Sequence, residues 1–157
     1  QYPKIEKAVE TYTEKLFLIN SEISRSASKQ LSLIKKQKSS FKEIEEILNT
    51  IDQFIYKSKD LEDEEKIICN LEEALKKSWQ IKRKMEGVYN NELELIETEL
   101  KKYNFKLLKV LGAGGGGYLL TKYIGENLGS DTEKVSEIRL RLNSVKIHKG
   151  GCEVWKI

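Results

Sequence analysis

The chain has 157 residues, of which 39% are hydrophobic, and this composition is sufficient for one domain with one modest core. Its 28 Lys and Arg residues against 25 Asp and Glu residues leave a net charge of +3, too small by itself to indicate binding to nucleic acid. Two distant cysteines and one histidine indicate neither a metal cluster nor a disulfide framework. Because the sequence has no apolar run of roughly 20 residues, we expect a cytoplasmic protein with no membrane partner.

The first part of the chain predicts a helix, a short strand and a serine-rich turn. Apolar residues recur at helical spacing at Ile5, Ala8, Val9 and Tyr12. The mostly apolar run Leu16-Phe17-Leu18-Ile19-Asn20 is typical of a buried strand. The segment Ser24-Arg25-Ser26-Ala27-Ser28 then precedes Leu31 and Ile34, so its serines lie where N-cap residues are favoured at the start of a helix.

Three long helices are predicted in the middle of the chain. Ser40 and Glu43 form a capping box before an unbroken apolar stripe. The stripe comprises Phe41, Ile44, Ile47, Leu48, Ile51, Phe54 and Ile55. A second helix is predicted from about Asp63 to Met85, and a third from about Asn91 to Tyr103. We interpret Trp79, on the second helix, as a core residue rather than a platform for a sugar.

The last part of the chain predicts strands around a run of glycines. Residues 105–111 and 118–124 are strand-like, with Tyr118 expected to fill the side of the sheet that faces the helices. A second capping box, Ser130 with Glu133, precedes a short predicted helix through Val135, Ile138 and Leu142. Two closing strands are predicted at 144–148 and 152–157. The pattern predicts an α+β fold, with an antiparallel sheet of about four strands covered on one face by several long helices.

The glycine run, residues 112–117, matches the pattern G-x-G-x-x-G but lacks the context of a nucleotide-binding loop. A dinucleotide fingerprint opens a helix, whereas Tyr118-Leu119-Leu120 has strand character. A P-loop needs Lys followed by Ser or Thr where this chain has Tyr118 and Leu119. Two interpretations stay open from the residues alone: a bend with close backbone packing, or a cradle of N–H groups for phosphate oxygens.

Four stretches, in this order, resemble the C-terminal domain of the GHMP kinases, which include galactokinase, homoserine kinase and mevalonate kinase. EKLFLINSEISRSASKQL resembles the strand and the T-G-x-x-R-x-A-S segment that open that domain, and LEEALKKSWQIKRKM resembles its L-x-x-x-W-x-L-K-K helix. LLKVLGAGGGGYLL is similar to the glycine-rich third motif of the superfamily. GGCEVWKI is similar to the end of the branch that phosphorylates D-glycero-D-manno-heptose 7-phosphate. Asn20-Ser21-Glu22 departs from the Tyr-Thr-Gly that is common in the family.

The resemblance implies that residues 1–157 are the ferredoxin-like C-terminal half of an ATP-dependent sugar or sugar-phosphate kinase. ATP, Mg²⁺ and the catalytic Asp and Lys would be held mainly by an N-terminal kinase domain, in the same polypeptide or a companion chain. We therefore expect no catalytic residue or metal ligand in this half and no activity from it alone, as though the chain were cut from a longer one. The residues expected to bind the sugar-phosphate substrate are Gly112, Ala113, Gly114, Gly115, Gly116, Gly117, Ser24, Arg25 and Ser26.

Other functions stay open at this point. One is a superfamily kinase of another small molecule, of galactose, fucose or mevalonate type, and another is a non-catalytic module whose helices between Ser40 and Met85 present a charged face to a partner. A homodimer is also left open. Basic stretches such as Lys35-Lys36-Gln37-Lys38 suggest a nucleic-acid-binding domain as a further alternative. Against it, glutamates interleave most other lysines, and no predicted strand shows the aromatic pattern of RNA-binding sheets. Lys82 and Arg83 are expected mainly on a solvated helix face, with the substrate cleft as the alternative.

Overall fold

The structure is a computed structural model that describes residues 2–24, 26, 32, 40–112, 114–137 and 141–144. The helices and strands follow one another as α1 (Pro3–Thr13), β1 (Leu16–Asn20), α2 (Ser40–Ser58), α3 (Glu64–Lys82), α4 (Asn91–Lys102), β2 (Phe105–Val110), β3 (Tyr118–Tyr123), α5 (Leu128–Glu137) and β4 (Arg141–Ser144). The expected α+β class is confirmed. The predicted helix after Ser28 and the strand at 152–157 fall on residues outside this description.

Strands β1, β2 and β3 form an antiparallel sheet in which β3 lies between the other two, and the short β4 pairs with the free edge of β1. In this register Asn20, the last residue of β1, is opposite Tyr118, the first residue of β3. The loop that leaves β1 therefore lies beside the glycine run that enters β3. A β-bulge between Leu107 and Lys109 shifts the register of the β2–β3 pair.

Apolar side chains are buried on both faces of the sheet. On one face Ile19 and Leu119 pack with Leu93 and Leu100 of α4 and with Val135 of α5. On the other face Leu16, Leu108 and Leu120 pack with Tyr12 of α1 and with Ile68, Leu71 and Leu75 of α3. The expectation of helices on one face is thus wrong, because strands with nearly continuous apolar runs have two faces to bury.

Side-chain caps define the ends of the helices. The Asp63 carboxylate accepts from the N–H groups of Glu65 and Lys66 at 3.0 and 3.3 Å, so α3 begins where the sequence predicts. Asn90 caps α4 in the same way, through a 3.0 Å bond from the Leu93 N–H group. Past the end of α4, Asn104 has a φ of +61°, the left-handed conformation in which helices commonly end.

The segment from α5 to β4 differs from the prediction. The Asn127 side-chain oxygen accepts from the Ser130 N–H at 3.3 Å, so α5 begins at Leu128 and Ser130 lies within it rather than capping it. Helix α5 is described as far as Glu137, and Leu142 lies in β4 opposite Ile19 instead of in the helix. Pairing with the exposed edge of β1 outweighs the helical spacing of Leu142.

Helix α2 begins at Ser40 as predicted, but its apolar stripe is largely uncovered. Phe41 and Leu48 are 72% and 56% exposed, and Ile44 and Ile51 are also exposed. The face that packs on α3 is partly polar, because Ser58 is fully buried and its Oγ accepts from Asn70 Nδ2 at 3.1 Å. Among the described helices, none is both long and apolar enough to cross a lipid bilayer.

Candidate functional site

The predicted binding residues lie in two loops at one end of the sheet. The glycine run connects β2 and β3, and Ser24 and Ser26 follow β1. Gly114, Gly115 and Gly116 are buried, whereas Gly112, Ser24 and Ser26 are exposed. Ala113 and Arg25 lie outside the described residues, and so does the expected helix N-terminus beyond Ser26.

The glycine run lies directly against the loop that follows β1. The Gly117 N–H donates to the Ile23 carbonyl at 3.2 Å, and the Ser21 N–H donates to the Gly117 carbonyl at 2.8 Å. A Cβ on Gly116 would lie 2.6 Å from the Ile23 carbonyl oxygen, so no other residue fits there without movement of the backbone. The run and the chain next to Ser24, distant in sequence, are therefore neighbours in the fold.

The other side of the run packs against the loop between α3 and α4. The Gly115 N–H donates to the Val88 carbonyl at 2.8 Å, and Asn90 Nδ2 donates to the Gly115 carbonyl at 3.1 Å. A Cβ on Gly114 would lie only 2.8 Å from the Val88 Cα. Because Val88 is itself fully buried, it gives the run a fixed surface to rest on.

These contacts bear on the two interpretations of the run. The N–H groups of Gly115 and Gly117 are taken by carbonyls of neighbouring loops, so close backbone packing accounts for these two glycines. Within the described residues, the N–H groups of Gly114 and Gly116 donate to no backbone carbonyl. Phosphate binding by the run stays a prediction. It would use the N–H groups of Gly114 and Gly116, which the backbone contacts of the run leave available as donors.

Lys82, the last residue of α3, contacts the start of the run. Its Nζ donates to the Gly112 carbonyl at 2.6 Å and to the Val110 carbonyl at 3.1 Å. Burial, helped by the positive charge of Lys109, lowers the pKa of Lys82 to about 8. Lys82 is thus engaged with the predicted site instead of lying on the solvated helix face where we expected it.

An aromatic and charged cluster stabilises the loop that supports the run. The Arg83 guanidinium lies 4.2 Å from the centroid of the Tyr89 ring, and the Tyr89 and Trp79 rings meet edge to face at 5.8 Å. Burial raises the pKa of Glu97, but hydrogen bonds from Tyr89 and from Lys101 outweigh it and leave that pKa below its ordinary value. Trp79 is 6% exposed, which confirms it as a core residue.

Tyr118, the strand residue that directly follows the run, does not join the core. Tyr118 is 48% exposed, although we expected it to fill the helix-facing side of the sheet. It is the first residue of β3, at the end of the strand that the glycine run enters. Its ring therefore lies at the surface beside the glycines.

A separate cleft of about 470 Å³ lies between α3 and the sheet, and none of the predicted binding residues that the structure describes lines it. Lys122 forms an ion pair with Glu72 there, and its Nζ lies 5.1 Å from the centroid of the Tyr12 ring. Burial and the neighbouring Glu72 carboxylate raise the pKa of Tyr12, so its hydroxyl stays protonated. Sequence reasoning missed this cleft because its residues come from five elements, α1, α3, α4, β2 and β3, and share no local motif.

Metal-binding side chains do not converge in the described part of the chain. No group of three or more His, Cys, Asp and Glu side chains comes together there. Cys69 is exposed with a free thiol. Cys152 and His148 lie outside the described residues.

Sequence comparison adds no relative to this picture. No model of a known protein family matches the chain, and no curated protein matches it. The resemblance to the GHMP kinases therefore rests on the motifs in the chain itself.

Proposed function

We propose that this chain is the C-terminal half of an ATP-dependent sugar or sugar-phosphate kinase of the GHMP type, similar to heptose 7-phosphate kinases. In this proposal an N-terminal domain holds ATP and Mg²⁺, and the glycine run with the loop after β1 forms the wall that binds the sugar phosphate. Phosphoryl transfer depends mainly on positioning and on neutralising charge, which backbone N–H groups and cations provide.

One observation carries the proposal. The two segments that the resemblance assigns to a single substrate site, the glycine run and the Ser24 loop, are joined by backbone hydrogen bonds at Gly117 and Ser21. Their positions in the sequence do not require this contact. The pairing of β1 with β3 brings the two segments together, which is the arrangement that a shared substrate site needs.

The order of strands and helices also supports the proposal. Strands β1 and β2 run parallel with β3 between them, and β3 and β4 run parallel with β1 between them. Helices connect the members of each parallel pair, as in the β-α-β-β-α-β arrangement called ferredoxin-like. The resemblance implies this same arrangement.

A third support comes from the position where the chain departs from the family. Glu22 stands where the family commonly has glycine, and its φ is +57°. This left-handed conformation is one that glycine adopts at no steric cost. The Asn20 side chain, which accepts from the Glu22 N–H at 3.0 Å, stabilises the turn without a glycine.

The proposal is tested by titrating the chain, alone and together with its N-terminal domain, with ATP and with D-glycero-D-manno-heptose 7-phosphate. We expect binding of ATP only when both halves are present, and binding of the sugar phosphate to involve the amides of Gly114 and Gly116 in NMR spectra. No binding of either compound to the joined halves would refute the proposal.

A second candidate function is a non-catalytic interaction module, which the exposed apolar face of α2 favours. Phe41 and Leu48 lie on that face, and soluble domains seldom expose so many large apolar side chains together. The same helix also exposes charged residues, among them Lys42, Glu45 and Asp52, so the expected charged face stays a prediction. The same titration separates the two candidates, because an interaction module would bind neither ATP nor sugar phosphate.

A further inference from the structure

Two lysines lie on the same side of the sheet at the start of the glycine run. Lys109 is opposite Leu120 in the β2–β3 register, and residues directly opposite in an antiparallel pair point to the same face. Leu120 packs against the cluster on the α3 side of the sheet. Lys82 is the last residue of α3, so both ammonium groups belong to this face.

Neither lysine has a carboxylate partner within the described residues. Lys82 donates to two carbonyls instead, and an ammonium group carries three donor hydrogens, one more than these bonds use. The charge of Lys109 adds to burial in disfavouring the protonated form of Lys82. A partly buried cation beside a second cation is costly unless a negative charge compensates it.

The surrounding backbone offers more donors and few acceptors. Gly112 is exposed, and in the described part of the chain neither its N–H nor that of Gly114 donates to a backbone carbonyl. The carbonyls of Val110 and Gly112 are already occupied by Lys82. A surface that combines positive charge with free N–H donors selects an oxyanion.

We infer that Lys82 and Lys109 bind a phosphate group of the substrate at the start of the glycine run. The identity of the ligand as a sugar phosphate rests on the proposed function, whereas the preference for an anion rests on the two lysines. A phosphate oxygen would accept the remaining hydrogen of Lys82 and a hydrogen of Lys109. The bound phosphate then supplies the countercharge that the described residues do not provide at this position.

The test is a titration of the chain with inorganic phosphate, glucose 6-phosphate and ATP at constant ionic strength, followed by NMR at the Gly112 and Gly114 amides and at Lys82 Nζ. We expect saturable shifts of these signals with inorganic phosphate and with glucose 6-phosphate, and none with ATP in the absence of the N-terminal domain. An opposite charge within hydrogen-bonding distance raises the pKa of a lysine, so saturation with phosphate raises that of Lys82 from about 8 by roughly one unit or more.

Three variants make the assignment specific. Lys109→Met removes a cation that has no hydrogen bond to the run among the described residues, so it tests charge without disturbing the backbone, and it weakens phosphate binding about tenfold or more. Lys82→Arg keeps the charge and retains binding within a few fold. Lys84→Met, at an exposed cation two positions from Lys82, is the matched control and leaves the affinity unchanged. Equal losses in Lys84→Met and Lys109→Met, or no saturable shift, would overturn the inference.

The outcomes also distinguish this inference from the proposed function. Phosphate binding that depends on Lys109 supports the anion site even if the joined halves phosphorylate no sugar. Sugar phosphorylation without a phosphate-dependent shift at Gly112 overturns the anion site and leaves the kinase proposal intact. Tighter binding of glucose 6-phosphate than of ATP supports a sugar phosphate as the ligand, whereas the reverse order assigns the lysines to the nucleotide and refutes their assignment to the substrate.

Discussion

Single residues of the glycine run are constrained by backbone conformation and by the space around them, and the two constraints can be separated. Gly114 and Gly117 have φ values of +89° and +80°, which L-residues with a side chain rarely adopt. A Cβ on Gly114 would meet Val88, whereas a Cβ on Gly117 would meet nothing within 4 Å. The two positions thus share the conformational cost but not the steric one.

The pair Gly114→Ala and Gly117→Ala measures this difference. Both substitutions should lower the free energy of unfolding by about 1–2 kcal/mol because of the left-handed conformation. Gly114→Ala should cost about another 1–3 kcal/mol because of the contact with Val88. Urea denaturation of both variants checks this, and equal losses would show that the run is not packed against the Val88 loop.

Glu22 gives the opposite prediction, a substitution that stabilises the protein. Since its φ is +57°, Glu22→Gly should remove steric strain and raise the free energy of unfolding by about 1 kcal/mol. Glu22→Ala keeps the strain and is the control, with a change within about 0.5 kcal/mol. A loss of stability in Glu22→Gly would argue against the left-handed turn after β1.

Lys82 makes the stability of the fold depend on pH in the alkaline range. Its pKa is about 8 in the folded protein and near 10.5 when unfolded, so between these values the unfolded state binds more protons. The contribution of Lys82 to the free energy of unfolding therefore rises as the pH increases from about 8 to about 10.5. Denaturation at several pH values should show the free energy of unfolding of the wild type rising relative to that of Lys82→Met across this window. A constant difference between the two free energies would show that Lys82 is not buried against the run.

At the scale of helices and strands, the elements formed where local sequence and tertiary contacts agree. The Asp63 cap of α3, the strand at Leu16 and the helix that begins at Ser40 follow from local patterns, and the structure has them there. Helix α5 is the exception, because its first turn is fixed by the Asn127 side chain rather than by the Ser130–Glu133 pair. Two residues with equal preference for N-cap positions compete there, and sequence alone does not rank them.

The start of α5 can be checked by two alanine substitutions. Asn127→Ala removes the hydrogen bond to the Ser130 N–H and should lower the free energy of unfolding by about 1 kcal/mol. Ser130→Ala should change it by less than about 0.5 kcal/mol, since the Ser130 hydroxyl does not cap the helix. Thermal denaturation measures both, and a larger loss for Ser130→Ala would restore the capping box that the sequence predicts.

Part of the fold and of the site could not be read from the sequence for physical reasons. Helical spacing predicted α2 but not that Phe41 and Leu48 would remain exposed, because burial depends on which elements pack nearby. The glycines were identified as a candidate site, but the carbonyls that take their N–H groups belong to Ile23 and Val88, far away in the chain. Lys82 had only the signal of a charged residue at a helix end, and its contact with Gly112 depends on how α3 lies on the sheet.

At the scale of the whole molecule, the fold brings two loops and the last residue of α3 together at one end of the sheet. The Ser24 loop, the glycine run and Lys82 meet there, while the α2 face and the cleft at Tyr12 lie elsewhere. The proposal requires this end of the sheet to face an N-terminal domain, since the run would form one wall of a cleft between domains. The most damaging change is then a bulky side chain within the run.

The most direct measurement is ATP-dependent phosphorylation of heptose 7-phosphate by the chain joined to its N-terminal domain, compared with the Gly115→Leu variant. Gly115 is buried with a φ of +77° and its N–H is bonded to Val88, so a leucine displaces the run from the cleft wall. We predict phosphorylation by the joined protein, none by this chain alone, and a loss of about 100-fold or more in Gly115→Leu that remains folded by circular dichroism. No phosphorylation by the joined protein, or a full rate in Gly115→Leu, would contradict the proposal.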